Sequence, residues 1–412
     1  MNILLIHQYF LEENDFGGTR FNEITKIWTE QGHQVTVLAG MMHYGGNEKR
    51  AEYKGKFIVE KKQGTITVWR CHVSESYNSS FAGRMWGYFS FVFSSLFAGL
   101  FKLKGKFDII VVTSPPLFVG ITAYLLSKTK RIPLLFEIRD LWPESAIDTG
   151  VLENRLLIKS AYAFERFIYK KAELINVLTP AFREKLITEK NVAPEKVIFI
   201  PNAADFSLSD DLLQNFDKEQ FRKTNGYNDK FVVTYVGAHG VANHLQQIIE
   251  TAKLLEDSPV LFLLIGQGME KERLIRLTEK VKCSNVIFLD PIPKKEVLKY
   301  IIASDMGTSV LKKADTFKTV YSNKTFDYMS CKKPILMAID GVSRELIEKA
   351  DAGVFVEPEN PEDFAKKIRI YLKNPELVKS QGENGYRYAK QYFDRTVLAK
   401  QYLIEMQKVD FI

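Results

Sequence analysis

The sequence predicts an α/β protein of two doubly wound, Rossmann-like domains. Three observations carry this. The chain has 412 residues, enough for about two domains at roughly 100–200 residues each. Short, wholly apolar runs such as Ile3-Leu4-Leu5-Ile6 alternate with amphipathic helical patterns, as in parallel sheets buried on both faces. That alternation resets once, at Pro201–Asn202.

Taken in order, Asn2–His7 reads as the first strand, followed by a glycine turn at Gly17–Gly18. A helix carries Phe21, Ile24, Ile27 and Trp28, and Val35–Leu38 returns as a strand. Phe57–Val73 alternates like a hairpin or an edge strand. Further strands are expected at Phe107–Thr113, Pro133–Ile138, Leu174–Leu178 and Lys196–Ile200. Residues 203–229 are polar and turn-rich and read as the linker. A second series then places strands at Phe231–Val236, Val260–Ile265, Val286–Leu289, Met306–Ser309, Pro334–Met337 and Gly353–Val356. The domains expected are 1–200 and 201–384, with a terminal helix, 385–412, packing back on the first.

Composition narrows the class. Charged residues make up 26% and hydrophobic ones 46%, which excludes a disordered chain. Cys71, Cys283 and Cys331 are too few and too scattered for a disulfide framework or structural zinc. The net charge of +7 is small for a nucleic-acid-binding protein, so no nucleic-acid partner is expected. Residues 1–200 hold 26 Lys and Arg against 20 Asp and Glu, so nearly all of the excess lies in the first half, where an anionic partner is expected. Met1–Phe10 lacks a basic leader region and a cleavage site and reads as a strand, which points to the cytoplasm.

Met85–Phe101 has no charge across its length and is flanked by Arg84, Lys102, Lys104 and Lys106. On a helix, Phe89, Phe93, Leu96, Phe97 and Leu100 form a bulky stripe, and Gly87, Ser90, Ser94 and Ala98 a small one. Three readings follow: a core helix docked by its small face, a surface helix that meets a membrane or a lipid-linked substrate, or a transmembrane span.

Four candidate sites lie in loops, the third made of two turns. Gly17–Arg20 (GGTR) lies between a strand and a helix, where backbone N–H groups approach phosphate. Glu137–Glu144 (EIRDLWPE) puts four charges at a buried strand's end: Arg139 can grip an anion, Asp140 and Glu144 can move protons, and Trp142 can stack on a sugar. Tyr235–Gly240 (YVGAHG) and Gly266–Gly268 repeat the glycine turn in the second half. Asn323–Asp327 (NKTFD) opens a helix with Lys324 near its start, while Asp327 can take both ribose hydroxyls or simply compensate the helix dipole.

These elements resemble family 4 (GT4) retaining glycosyltransferases of the GT-B fold, whose two Rossmann-like domains face a central cleft. Gly17–Arg20, Ile200–Asp205 (IPNAAD), Tyr235–Gly240, Leu263–Gly268 (LLIGQG) and Asn323–Asp327 running into Lys333–Pro334 carry the resemblance over nearly the whole chain. Asp140–Glu144 (DLWPE) is similar, more narrowly, to bacterial O-antigen and capsule transferases of the L-fucosamine type. The resemblance implies a UDP-sugar donor, no cofactor and no metal, and an undecaprenyl-diphosphate-linked acceptor. It implies a donor site at Gly17, Gly18, Gly237, His239, Gly240, Gly266, Gly268, Asn323, Lys324 and Asp327. Thr319 stands where the family's first acidic residue falls, and Lys324 is the expected substitute for its missing basic pair. Arg139, Asp140 and Glu144 are the expected catalytic groups. Arg20, Arg84, Trp86, Phe89, Phe93 and Phe97 are expected on the acceptor and membrane side, with the protein peripheral on the inner face of the membrane. A UDP-sugar 2-epimerase and a non-catalytic membrane-associated scaffold of the same fold are the alternatives.

Overall fold

The fold is that of a computed structural model, which describes residues 1–409 apart from 13–14, 16, 43–48, 79–80, 149 and 151. The side chains of 77, 78, 81, 82 and 84 lie outside the described residues too, and the expectation for Arg84 falls there. The chain forms two compact units, residues 1–201 with 396–412, and residues 202–395.

The first unit runs β1 (Asn2–Ile6), α1 (Arg20–Glu30), β2 (Gln34–Gly40), β3 (Ile58–Gln63), β4 (Ile66–Cys71), α2 (Phe81–Phe101) and β5 (Ile109–Ser114). It continues through α3 (Val119–Lys130), β6 (Leu134–Ile138), α4 (Glu144–Asp148), α5 (Arg155–Lys171), β7 (Leu174–Val177), α6 (Pro180–Thr188) and β8 (Val197–Phe199). Its eight strands are ordered β3-β4-β2-β1-β5-β6-β7-β8. All pairs are parallel except the β3–β4 hairpin at the edge. The inner strands are mostly apolar because helices cover both faces; β5 and β6 are buried throughout.

The second unit begins with α7 (Phe206–Asn215) and α8 (Lys218–Thr224). It then alternates β9 (Phe231–Val236), α9 (Gln246–Leu254), β10 (Val260–Ile265), α10 (Lys271–Lys280), β11 (Val286–Leu289), α11 (Lys294–Ala303) and β12 (Met306–Val310). After these come α12 (Asn323–Ser330), β13 (Ile335–Ala338), α13 (Val342–Lys349), β14 (Gly353–Phe355), α14 (Pro361–Leu372) and α15 (Pro375–Tyr392); α16 (Arg395–Gln407) ends the described chain. The strand order is β11-β10-β9-β12-β13-β14, all parallel. Both orders reverse at the first strand, between β1 and β5 and between β9 and β12. Ligands of open α/β sheets bind outside the carboxyl ends of strands at such points.

Two expectations are corrected. Residues 203–229 are mostly helix, not linker. Asp205 caps α7 by accepting from the N–H groups of Ser207 and Leu208, and Asp217 caps α8. Of the polar residues read as turn signals, Asp205 and Asp217 are caps while Ser207, Ser209, Asp210 and Asp211 lie within α7, with Phe206 and Leu212 buried. Nor is 385–412 one helix. The break falls after Tyr392, where buried Phe393 turns in against Phe326, with ring centroids 4.8 Å apart. Only residues from 396 on group with the first unit, where Tyr402 packs edge-on against Trp28 at 5.5 Å.

No helix among the described residues is long and apolar enough to cross a membrane. The small face of α2 is buried: the Ser94 hydroxyl donates to the His72 carbonyl at 2.7 Å, and Ser95 meets Thr122 of α3 at 3.0 Å. A Cβ on Gly99 would lie 2.4 Å from Leu126, so α2 and α3 touch through that glycine. The opposite face leaves Trp86, Phe93, Phe97 and Phe101 exposed. Phe89 is not among them. It is half-buried, with its ring 5.1 Å from Phe118.

Candidate functional site

In the first unit, three segments meet at the β1/β5 reversal. Gly17 has φ of +139° and precedes α1, whose start has no side-chain cap. A Cβ on Gly18 would lie 3.6 Å from an Arg139 terminal nitrogen, so the structure brings these two expected residues together. Arg139 itself is fixed by its backbone N–H, which donates to the Ser114 carbonyl at 2.8 Å. Next to it, burial pushes the Asp140 carboxyl up to about 6, opposed by hydrogen bonds from the Ser145 side chain and the Leu141 backbone. A carboxyl near neutrality at a strand end is suited to proton transfer.

Three other expected residues have structural partners. Glu144 pairs with Lys190 at 2.6 Å, and Lys190 also binds Glu165. Trp142 packs on protein rather than standing free; its ring lies edge-on 5.4 Å from Phe118 and against the buried cluster of Ala146, Leu152 and Ala161. Arg20 is buried, not on an acceptor or membrane surface. It makes two 3.0 Å bonds to Glu137 and reaches the Ile200 and Pro201 carbonyls. Asn176 and Tyr402 donate to the same Glu137. A guanidinium with these partners ties α1 to β6 and to the segment after β8.

His7 was not singled out by the sequence. Its Nδ1 lies 2.7 Å from the Thr113 hydroxyl, and burial together with Arg139, Arg70 and Arg20 holds it well below the usual imidazole range. A polar residue closing an apolar strand at a reversal point was the available signal.

In the second unit the loops after β9 and β10 are backbone against backbone. A Cβ on Gly266, whose φ is +153°, would lie 1.9 Å from the Gly237 carbonyl oxygen, and one on Gly268 would lie 2.3 Å from the His239 oxygen. Lys271 clamps this pair of turns by donating to the Gly266 and Leu289 carbonyls and to Asp290. Glycine is therefore required by contact, and Gly237 and Gly266 use their N–H groups within the sheet mouth, on Ile265 and Leu289. Among the described residues the Gly240 N–H has no backbone acceptor.

His239 differs from expectation. Its ring is wholly buried between Tyr235 and Phe288, and its backbone N–H donates to the Gln267 carbonyl at 2.9 Å. Burial and Lys271 push the imidazole down to about 4, so the ring is neutral near pH 7, and among the described residues neither ring nitrogen has a hydrogen-bond partner.

Beside these turns, α12 starts with Ser322 as N-cap, yet the Ser322 hydroxyl bonds Ser309 instead of the helix. Asn323 accepts from Asn202. Lys324 lies over the Tyr235 ring, its ammonium 4.7 Å from the centroid. A Cβ on Gly237 would lie 3.1 Å from its Cε and 3.5 Å from its Nζ. Burial pushes this ammonium down to about 8, with Asp327 opposing. Asp327 forms an ion pair with Lys294 at the start of α11. A buried cation, an uncapped helix start and a glycine turn are groups of the kind that can hold an anion.

Sequence comparison supports the same division. Residues 17–203 match the glycosyl transferase 4-like domain and residues 216–388 match glycosyl transferases group 1. An Escherichia coli protein named as a putative colanic acid biosynthesis glycosyl transferase, WcaI, is 25% identical over 95% of this chain and 96% of its own. An alpha-D-kanosaminyltransferase of Streptomyces kanamyceticus is 23% identical over 63% of this chain and 67% of its own. Among solved structures, Anabaena HepE in complex with UDP-glucose superposes with a TM-score of 0.73 at 16% identity, covering 99% of this chain and 100% of that one. The lipopolysaccharide glycosyltransferase WaaG gives 0.71 at 18%, with 99% and 100% covered. With both halves matched, the chain belongs to the group 1, GT4-like glycosyltransferases of the GT-B fold.

Proposed function

We propose that this glycosyltransferase moves an N-acetylated amino sugar or a deoxy sugar from a UDP-sugar to a lipid-diphosphate-linked glycan, with retention, in bacterial surface polysaccharide synthesis. The observation that carries the donor side is Lys324: a mostly buried ammonium between the Gly237 turn and the open start of α12. As the bond from the anomeric carbon to the donor phosphate oxygen breaks, negative charge grows on the leaving diphosphate. Lys324 and the first amides of α12 stabilise it, aided by the Gly240 N–H. The acceptor oxygen bonds the anomeric carbon on the same face, and its proton passes to the departing phosphate. Asp327 accepts from the ribose hydroxyls. On the acceptor side, Arg139 over Gly18 holds an anion, and Asp140 beside it is the protein alternative to the phosphate as the group that takes the acceptor proton.

The likeness to WcaI supports a polysaccharide product, and the fold shared with HepE, solved with UDP-glucose, supports a UDP donor. The exposed Trp86, Phe93, Phe97 and Phe101 of α2, followed by Lys102, Lys104 and Lys106, support peripheral binding to an anionic membrane where a lipid acceptor resides.

The test is a thermal-shift series with UDP, GDP and dTDP, then turnover on a prenyl-diphosphate sugar. UDP raises Tm in the native chain and not in Asp327→Ala. Conversion of the donor alone to a free epimer identifies an epimerase instead. Survival of the biological role in Asp327→Ala identifies a scaffold.

A further inference from the structure

Helix α5 carries a feature that neither the donor site nor the α2 stripe uses. Asn154 caps it, accepting from the N–H groups of Leu156 and Leu157 at 3.0 and 3.2 Å. Its inner face buries Ala161, Ile168 and Tyr169. Its outer face lines an open groove of about 520 Å³ with Arg155, Ile158, Lys159, Tyr162 and Arg166.

The spacing of Arg155, Lys159, Tyr162 and Arg166 stacks them along one stripe of the helix. Like charges at this spacing repel. Among the described residues, no carboxylate lies within ion-pair reach of Arg155, Lys159 or Arg166. Glu165, the one acid on the helix, is turned inward to Lys190 and Tyr169. The three cations therefore lack an ion-pair partner of their own, the nearest acids, Glu144 and Asp148 of α4 and Glu165, lying by Tyr162, and an external anion can compensate them.

The neighbourhood says what kind. Leu156 is 75% exposed and Phe167 37%, both beside the cations on the outer face. Phe167 packs edge-on against Tyr124 of α3 at 4.8 Å, and α3 in turn packs on α2. Helices α2 and α3 contain no acidic residue at all. Three adjacent helices thus present apolar and basic groups without an exposed carboxylate. A small soluble anion needs no apolar rim. A bilayer accepts leucine and phenylalanine between headgroups while lysine and arginine reach the phosphates.

We propose that the α5 groove binds phosphate headgroups of an anionic phospholipid bilayer, making a second, electrostatic contact beside the hydrophobic one of α2. This rests on the membrane reading given above. The two contacts differ in kind, so they separate experimentally.

The test is cosedimentation of the full chain with vesicles of phosphatidylcholine alone or with one quarter phosphatidylglycerol. The variants are Arg155→Gln/Lys159→Gln/Arg166→Gln and Phe93→Ser/Phe97→Ser, each checked for folding by the UDP thermal shift. A near-surface cation contributes about a factor of five, so the triple variant should bind the anionic vesicles roughly 100-fold more weakly, with a flatter salt dependence. Its binding to neutral vesicles should match the native chain. The α2 variant should lose affinity for both vesicles. Equal binding of native chain and triple variant to anionic vesicles overturns the α5 assignment while leaving the α2 reading standing. Failure of the native chain to bind any vesicle overturns the membrane reading itself. A thermal shift with inorganic pyrophosphate that the triple variant loses, without any change in vesicle binding, assigns the groove to a soluble phosphate compound and overturns the bilayer.

Discussion

Replacing Lys324 by Met should stabilise the empty protein while weakening its grip on nucleotide. The two effects share one cause. In the unfolded chain this ammonium titrates near the ordinary 10.5; in the fold, burial moves it to about 8. The difference, about 2.5 units at about 1.36 kcal/mol each, corresponds to roughly 3 kcal/mol of destabilisation carried by the charged form. Because Lys324 keeps some solvent contact, that is an upper bound. The sign follows from proton counts. Between pH 8 and 10.5 the unfolded chain binds the proton and the native one does not, so native stability rises with pH there. Below pH 8 both bind it and the cost is constant. Lys324→Met should therefore be more stable by up to about 3 kcal/mol at pH 7 and should lose the rise above pH 8. In nucleotide binding the order reverses. A charge-assisted bond of about 1.5–3 kcal/mol is removed, so UDP affinity should fall roughly 10- to 150-fold, and the native chain's own affinity should decline above pH 8. Urea unfolding across pH, paired with UDP titration calorimetry, measures both. A Lys324→Met protein that is less stable at pH 7 and binds UDP as well as the native chain refutes the reasoning.

Other perturbations test the scaffold around both sites. Arg20→Met strands the Glu137 carboxylate in the core and should cost about 3–5 kcal/mol by urea unfolding. Gly266→Ala puts a methyl 1.9 Å from the Gly237 oxygen at a positive φ, so it should lower Tm and abolish the UDP shift together. Asp140 has a folded value raised to about 6, so it adds stability at low pH that is lost as pH rises from about 4 to 6; Asp140→Asn should remove that slope. If Asp140 takes a proton in the reaction, the acidic limb of kcat/KM near pH 6 should also vanish in that variant, a change visible in a pH–rate profile.

Much of this was legible in the chain because the signals are local. Strand β10 is apolar and buried along its whole length, and helices must cover both faces of such a strand. The glycines at 266 and 268 mark turns that no side chain could enter, and Gly237 takes a positive φ. Other signals misled for equally local reasons. Asp205 and Ser207 look like a flexible linker, yet an N-cap uses the same residue types. Arg20, His239 and Phe89 each have chemistry suited to a ligand, and each is held by groups far away in sequence: Glu137, Phe288 and Phe118.

The sequence by itself determined the two Rossmann-like units, the glycine turns after their strands, and the apolar and basic character of the first half. Periodicity, glycine and charge are properties of neighbouring residues and survive without coordinates. Only the tertiary structure decided which polar groups are available. A cation's use depends on whether a carboxylate lies within a few ångströms, and that is set by strands and helices distant in the chain. Arg20 meets Glu137 and is internal; Lys324 meets an aromatic face and a glycine turn.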